Sequence, residues 1–418
     1  MVKIGVFSDT HIGRAVPNII GEYRRRAFRH AFTQAIDALI KEGVEYVLHA
    51  GDLFEKRSMW PSDSLFVKEE LQRLVDSVGG GLRIIIVRGN HDGTPENSAL
   101  NYIEHPLAKY LTVIGERTLH GEPEVYVDGA FAAAGFGYTP YASPRLMKAK
   151  DTLKDALSGA HAPHKIFLAH MFVEGQNIPP GIPEYQVAPL STIRDLGADI
   201  VVAGHNHERL LRNSEQLLLL TPGATEAIDL SDEGPFGIHI LDLGKKIECR
   251  FIQLKPLYNI KNAVIDSGSA AEQPKWFVEK AIEAVLAFSD ELRSNGSSGI
   301  MRLVLRGLLD GNKFDVQSDL EGRLREEQKE NPLLLHIEVD NLLDEVKAAQ
   351  ASLQEHMTRD EFLHEVFSIL GGDKMAEALQ LANEVLMELE EKASPQTGLL
   401  KESDRRSFIE KWLRLLGG

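Results

Sequence analysis

The stretch Arg83-Ile84-Ile85-Ile86-Val87-Arg88-Gly89-Asn90-His91-Asp92 decides how this chain is read. An apolar run closed by a glycine reads as a buried strand that stops at a sharp turn. Three side chains able to bind a metal or move a proton follow the stop. Open α/β sheets put their chemistry there, beyond the carboxyl ends of the strands.

Four other segments repeat the design. Lys3 to Phe7 runs into Ser8-Asp9-Thr10-His11, and Tyr46 to His49 into Ala50-Gly51-Asp52. Lys165 to Leu168 runs into Ala169-His170, and Asp199 to Ala203 into Gly204-His205-Asn206-His207. Each is an apolar strand ending in Asp, Asn or His.

The intervening segments are helical. From about Glu22 to Lys41, residues Phe28, Ala31, Phe32, Ala35, Ile36, Leu39 and Ile40 recur at helical spacing, and Gly43 ends the run. A second helix is expected from about Ser62 to Val78, broken by Gly79-Gly80-Gly81. The order β-α-β-α-β signals a layered, mostly parallel sheet. Short strands and turns follow to Tyr141, then a helix near Pro144 to Ser158. Glu174 to Pro189, rich in Pro and Gly, reads as a surface loop and a substrate rim. Strands at Leu217–Leu220, Gly237–Leu243 and Glu248–Gln253 are expected to complete a second sheet.

The expected fold class is therefore α/β, a β-sandwich flanked by helices over residues 1–255. A small α+β domain is expected at 256–345 and a helical C-terminal region at 346–418. Met375 to Leu389 and Phe408 to Leu416 carry the amphipathic patterns of that last region.

With 418 residues, two or three domains are expected. The one cysteine, Cys249, cannot form an internal disulfide, which fits a reducing compartment and a cytoplasmic location. The N-terminus does not read as a signal peptide. No apolar run approaches the roughly 20 residues of a membrane span. The net charge of −16 argues against a generic nucleic-acid coat, but not against a nuclease whose metal ions neutralise a carboxylate-lined cleft.

Carboxylate and amide oxygens with imidazole nitrogens, and no thiolate, favour Mn, Fe, Zn or Co over Ca. Asp9, His11, Asp52, Asn90, His170, His205 and His207 are enough donors for two ions, with Asp52 the natural bridge. A two-metal site suits phosphoester hydrolysis. His91, beside Asn90, is the candidate to hold the phosphoryl oxygen or protonate the leaving group. A lone Asp-x-His or Gly-Asp would be weak; five such turns in order are not. His49, inside a strand, reads instead as a core histidine. The run Arg24-Arg25-Arg26 reads either as a solvated helix face or as a phosphate contact beside the site.

Asp9-x-His11, Gly51-Asp52, Gly89-Asn90-His91-Asp92, His170 and Gly204-His205-x-His207 resemble the five motifs of the calcineurin-like metallophosphoesterases. Gly51-Asp52-Leu53-Phe54 and Gly89-Asn90-His91-Asp92 resemble the SbcD branch, the DNA break-repair nucleases. The phosphatases of the superfamily show Gly-Asp-x-Val-Asp-Arg-Gly and Gly-Asn-His-Glu instead. The resemblance implies one ion on Asp9, His11, Asp52 and His207. It implies a second on Asp52, Asn90, His170 and His205, with His91 the catalytic histidine. It further implies two Mn2+ ions, 3′-to-5′ exonuclease action on double-stranded DNA ends and nicking of single strands. It also implies a capping domain that positions DNA, C-terminal helices that bind an SbcC-like SMC-type ATPase, and pairing as a homodimer.

Two other readings compete. One is a phosphatase or cyclic-nucleotide phosphodiesterase built on the same motif core. The other is a scaffold for DNA ends and the ATPase, with weak nuclease activity.

Overall fold

The computed structural model describes residues 2–94, 96–214, 217–327, 334–344, 372–392 and 407–412, with Leu363 and Phe367. The chain opens with β1 (Val2–Phe7), α1 (Gly21–Glu42), β2 (Tyr46–His49), α2 (Pro61–Val78) and β3 (Arg83–Val87). The short strands β4 (Gly93–Thr94) and β5 (Asn97–Ser98), α3 (Asn101–Glu104) and β6 (Leu111–Ile114) follow. Then come β7 (Val125–Val127), β8 (Ala132–Phe136), α4 (Ala142–Gly159), β9 (Lys165–His170), β10 (Phe172–Val173), β11 (Val187–Ala188) and α5 (Leu190–Asp195). Strands β12 (Ile200–Gly204), β13 (Leu210–Ser214), β14 (Leu217–Thr221), β15 (Gly237–Leu243) and β16 (Ile247–Gln253) follow.

Two six-stranded sheets result, in the orders β16-β15-β1-β2-β3-β6 and β13-β14-β12-β9-β8-β7. This is the expected sandwich, with one correction. β15 and β16 were expected in the second sheet, but β15 pairs antiparallel with β1, Val6 opposite His239, and β16 pairs with β15. β15 is buried along nearly its whole length, as are the central strands of both sheets, so its apolar pattern suits either sheet equally.

Side-chain alternation assigns the layers. Ile85 and Val87 of β3 join Ile4, Val6, Ile166 and Val202 in the core between the sheets. Ile84 and Ile86 turn the other way, against Phe28, Phe32, Ile36 and Leu39 of α1 and Leu71 and Leu74 of α2. Each such side chain, removed from water, contributes on the order of 2 kcal/mol before entropy is charged against it. On the far side, Ala132, Ala134, Phe136 and Phe167 pack against Leu146, Leu153 and Leu157 of α4. Helices α1 and α2 end where the sequence suggests. Gly43 adopts φ 61°, its N–H bonds to Ile40 O, and the Val44 N–H bonds to Leu39 O, the glycine-closed C-terminus of a helix. Pro61 opens α2 in its first turn.

Beyond these sheets come β17 (Asn259–Glu272), α6 (Pro274–Asn295), β18 (Gly299–Leu309), α7 (Lys313–Glu327), β19 (Leu334–Asp344) and α8 (Gly372–Lys392). β17, β18 and β19 form a three-stranded sheet in that order. The chain divides into two compact units. One holds Met1–Val264, Ala281–Val304 and Gly322–Glu338; the other holds Ile265–Lys280, Leu305–Glu321 and Val339–Gly418. In the first, Arg302 pairs with Glu338 at 2.8 Å. In the second, Arg306 pairs with Asp266 at 2.7 Å, and Phe367 stacks on Trp412. Most of the expected helical region at 346–418 lies outside the described residues. No helix among those described is long and apolar enough to cross a membrane.

Candidate metal centre

The five strand-end turns converge. The β1 and β2 turns are zipped together by backbone bonds: Asp9 N to Gly51 O, Thr10 N and His11 N to Asp52 O, and Ile12 N to Leu53 O, all at 3.0–3.1 Å. β9 and β12 run parallel, with His170 in register with Gly204, which brings their ends side by side. The Asp92 carboxylate accepts the N–H groups of Asp52, Phe54 and Gly89, each at 2.9 Å, and so ties the β2 turn to the β3 turn. A Cβ on Gly89 would overlap the Asp52 carboxylate and backbone nitrogen, and one on Gly51 would overlap the His170 ring. The turns approach this closely only because those positions are glycine.

Asp52 lies at the middle. Its Oδ2 is 3.7 Å from His11 Nε2 and 3.3 Å from His170 Nε2, and its Oδ1 accepts the His91 N–H at 2.8 Å. On one side, Asp9 Oδ1 is 3.9 Å from His207 Nε2, and the His11 and His207 rings meet edge-on at 5.4 Å. On the other, His170 Nε2 is 3.1 Å from Asn90 Oδ1, and the His170 and His205 rings are 4.9 Å apart. One donor atom each from Asp9, His11 and His207 lies within 4.8 Å of the others, and the same holds for Asp52, His170 and His205. It also holds for His11, Asp52 and His91, so His91 stands beside Asp52 with the other imidazoles. All seven expected ligands are thus gathered in one place.

Four non-glycine residues adopt positive φ among the described residues: Asp9, His11, Asp52 and His205. All four are expected ligands. Backbone strain of this kind gathers where a fold over-determines a functional geometry.

The electrostatics fit a cation pair. Burial pushes the Asp9 carboxyl up to about 7, against the pull of His170 and with the Asp52 charge adding to the rise. Asp52 goes the other way: burial opposes it, yet His170, His11 and His91 hold it below the usual carboxylate range. Burial works against the His170 imidazolium, but Asp52 and Asp9 push it up to about 9. Burial lowers His11, and lowers His205 and His207 to about 3, so these imidazoles keep a lone pair for a ligand. His11 Nε2 is buried and finds no hydrogen-bond partner in the fold, an orphan that an ion would satisfy. His170 Nδ1 donates to Ala50 O at 2.7 Å, which directs Nε2 toward the carboxylates.

A cleft of about 680 Å3 opens at Asp52, Asn90, His91, His205 and His207. Asn177, Ile178, Pro179, Ile182 and Gln186 line its side, so the loop expected as a rim borders the site. No lysine or arginine is among the residues lining this cleft, so cations held there would supply positive charge to meet a phosphate. Tyr138 also lines the cleft, its ring 5.3 Å from that of His205. Nothing in the sequence singles it out, since a lone tyrosine after β8 carries no signal. Glu55, which bonds His11, was also passed over, though it stands three residues after Asp52.

His91 is 36% exposed at its side chain. Its Nδ1 lies 2.9 Å from Glu55 O, and since a carbonyl only accepts, Nδ1 carries the proton and Nε2 stays available. His49 lies in the core, 1% exposed, with Nε2 3.3 Å from Thr10 Oγ1; its Nδ1 finds no partner.

The arginine run divides. Arg24 is fully buried. Its guanidinium donates to Ala227 O and to Val16 O and lies against the Phe28 ring, so Arg24 is an internal clamp and not a phosphate contact. Arg25 bonds Glu22 and covers Trp60, and Arg26 is exposed.

The family model described as calcineurin-like phosphoesterase matches residues 2–209. An uncharacterised metallophosphoesterase, YhaO of Bacillus subtilis, is 26% identical over 73% of this chain and 72% of its own length. The DNA double-strand break repair protein Mre11 of Sulfolobus acidocaldarius is 25% identical over 83% of this chain and 87% of its own. Among solved structures, a dimetal phosphatase from Danio rerio is similar at 13% identity and a TM-score of 0.42, over 60% of this chain and 95% of that one.

Proposed function

The chain belongs to the calcineurin-like metallophosphoesterases through its domain at residues 2–209, and from that premise we propose that it is a manganese-dependent nuclease acting on DNA. The observation that carries the chemistry is the place of the Asp52 carboxylate, 3.7 Å from His11 and 3.3 Å from His170, between two adjoining donor sets. Asp9, His11 and His207 with Asp52 would hold one cation; Asn90, His170 and His205 with Asp52 would hold the other. Two cations there supply Lewis acidity toward a phosphoryl oxygen and make water a better nucleophile. His91, fixed through Nδ1, places Nε2 at the cleft, where it can bond a phosphoryl oxygen or pass a proton to the leaving oxygen. Oxygen and nitrogen donors without thiolate suit manganese.

DNA as substrate is supported by the likeness to a protein named for double-strand break repair, which spans most of both chains. An SbcC-like SMC-type ATPase is the proposed partner, bound through residues 346–418, with 256–345 as a DNA-positioning cap. The test is the purified full chain with Mn2+ on end-labelled linear duplex DNA and on circular single strands. Shortening from 3′ ends and nicking of circles are expected. Strong turnover of a phosphopeptide or a cyclic nucleotide, with DNA intact, would sink the nuclease reading while leaving the phosphoester hydrolase standing. Removal of residues after 345 should spare simple nuclease activity and abolish co-purification with the ATPase.

A further inference from the structure

Glu55 is 6% exposed and follows the β2 turn. Its Oε2 lies 2.9 Å from His11 Nδ1, and its Oε1 accepts from Arg14 Nη1 at 2.9 Å. Arg14 in turn donates through Nε to Ile228 O at 2.7 Å, and the Glu55 N–H is bonded to Ile12 O at 3.0 Å. The stretch from His11 to Arg14, itself tied to Ile228, thus holds this one carboxylate in place. A carboxylate facing Nδ1 puts the ring proton on that nitrogen and the lone pair on Nε2. Nε2 is the buried atom that finds no partner within the fold, 3.7 Å from Asp52 Oδ2.

We propose that Glu55 is a positioning residue that locks His11 in its Nδ1–H tautomer, with Nε2 aimed at the cation shared with Asp9, Asp52 and His207, and that Arg14 clamps Glu55 for that task. The inference rests on the two-cation reading above. A plain Arg14–Glu55 ion pair would account for the burial of both charges, but not for the unsatisfied Nε2 on the far side of the ring that Glu55 grips. Ligating imidazoles commonly donate their second N–H to such a carboxylate, and losing it weakens metal binding about 10- to 100-fold.

The test combines 15N imidazole NMR of the metal-free full chain with calorimetric titration of Mn2+ into wild type, Glu55→Gln and Glu55→Ala. His11 protonated at Nδ1 is expected in wild type. Glu55→Ala should weaken one of two sites by about 10- to 100-fold and mix the His11 tautomers. Glu55→Gln, whose amide oxygen still accepts, should recover most of the affinity. Should Glu55→Ala fail to fold, Arg14→Met is expected to give a smaller loss at the same site, and equal affinity there counts against the clamp. A wild-type His11 protonated at Nε2, or two sites of unchanged affinity in Glu55→Ala, would overturn the inference alone. A wild-type chain that takes up no Mn2+ would overturn the two-cation reading and this inference with it.

Discussion

The carboxylate of Asp92 accepts the backbone N–H of Asp52 at 2.9 Å, so the last residue of the β3 turn fixes the first donor of the β2 turn. It also accepts from Phe54 and Gly89, and it is fully buried. Asp92→Leu would leave three donors without a partner, at about 1–3 kcal/mol each, so a loss of about 3–9 kcal/mol is expected in denaturant unfolding. Asp92→Asn, which keeps one accepting oxygen, should fall between the two.

His91→Ala should separate chemistry from metal binding. His91 is tied by its own N–H to Asp52 and by Nδ1 to a carbonyl, and its imidazole is not among the seven expected ligands. Turnover is expected to fall by about 10²- to 10⁴-fold, the usual worth of a placed proton donor. Elemental analysis should still find two ions. Loss of one ion in step with activity would make His91 a ligand, as its distance from His11 and Asp52 allows.

Gly89→Ala tests how tightly the turns close. The added methyl would fall on Asp52 itself, a contact that only displacement of the β2 turn relieves. Metal content should drop in this variant even where it folds. Gly80→Ala, with open space around it, should change neither metal content nor stability by much.

Arg24 and Arg26 should behave oppositely. Arg24→Met removes a buried cation from two carbonyls and from the field of the buried Glu226 carboxylate, so a stability loss of about 3 kcal/mol is expected, and on the nuclease reading the salt dependence of DNA binding stays intact. Arg26→Ala should leave the melting temperature alone. If Arg26 meets a phosphate, the slope of log affinity against log salt should shrink by about 1.

His239 in β15 predicts an acid-side loss of stability. It is 1% exposed, and burial, with the Arg209 charge adding, holds its pKa down at about 4 against the ordinary 6.5. At pH 7 the folded and unfolded chains both carry it neutral. Between pH 6.5 and 4 the unfolded chain takes up a proton that the folded chain refuses, so stability falls with pH, by up to about 3 kcal/mol. Unfolding curves across that window should be less pH-dependent in His239→Leu than in wild type; parallel curves would exclude the effect.

The five turns were legible because each couples an apolar run to donor-bearing residues, and the layered order followed from the helices between them. The pairing of β15 with β1 was not. It joins strands more than 200 residues apart, and both sheets ask for the same apolar pattern. Arg24 looked like surface charge because it sits in a run, yet it stands four residues before Phe28, on the buried face of α1. That spacing was the available clue. Glu55 gave no clue of its own, since a glutamate after a strand end is ordinary until a ring nitrogen is found against it.

Asp9, His11, Asp52 and His205 share left-handed backbone angles. Each such residue lies roughly 1 kcal/mol above a relaxed one, and the folding of the sheets bears that cost before any ion arrives. An incoming cation therefore meets a rigid cage and has little rearrangement to drive. Chelation should strip the ions and leave the secondary structure standing, with the melting temperature lowered only by the mass-action term that bound metal had added.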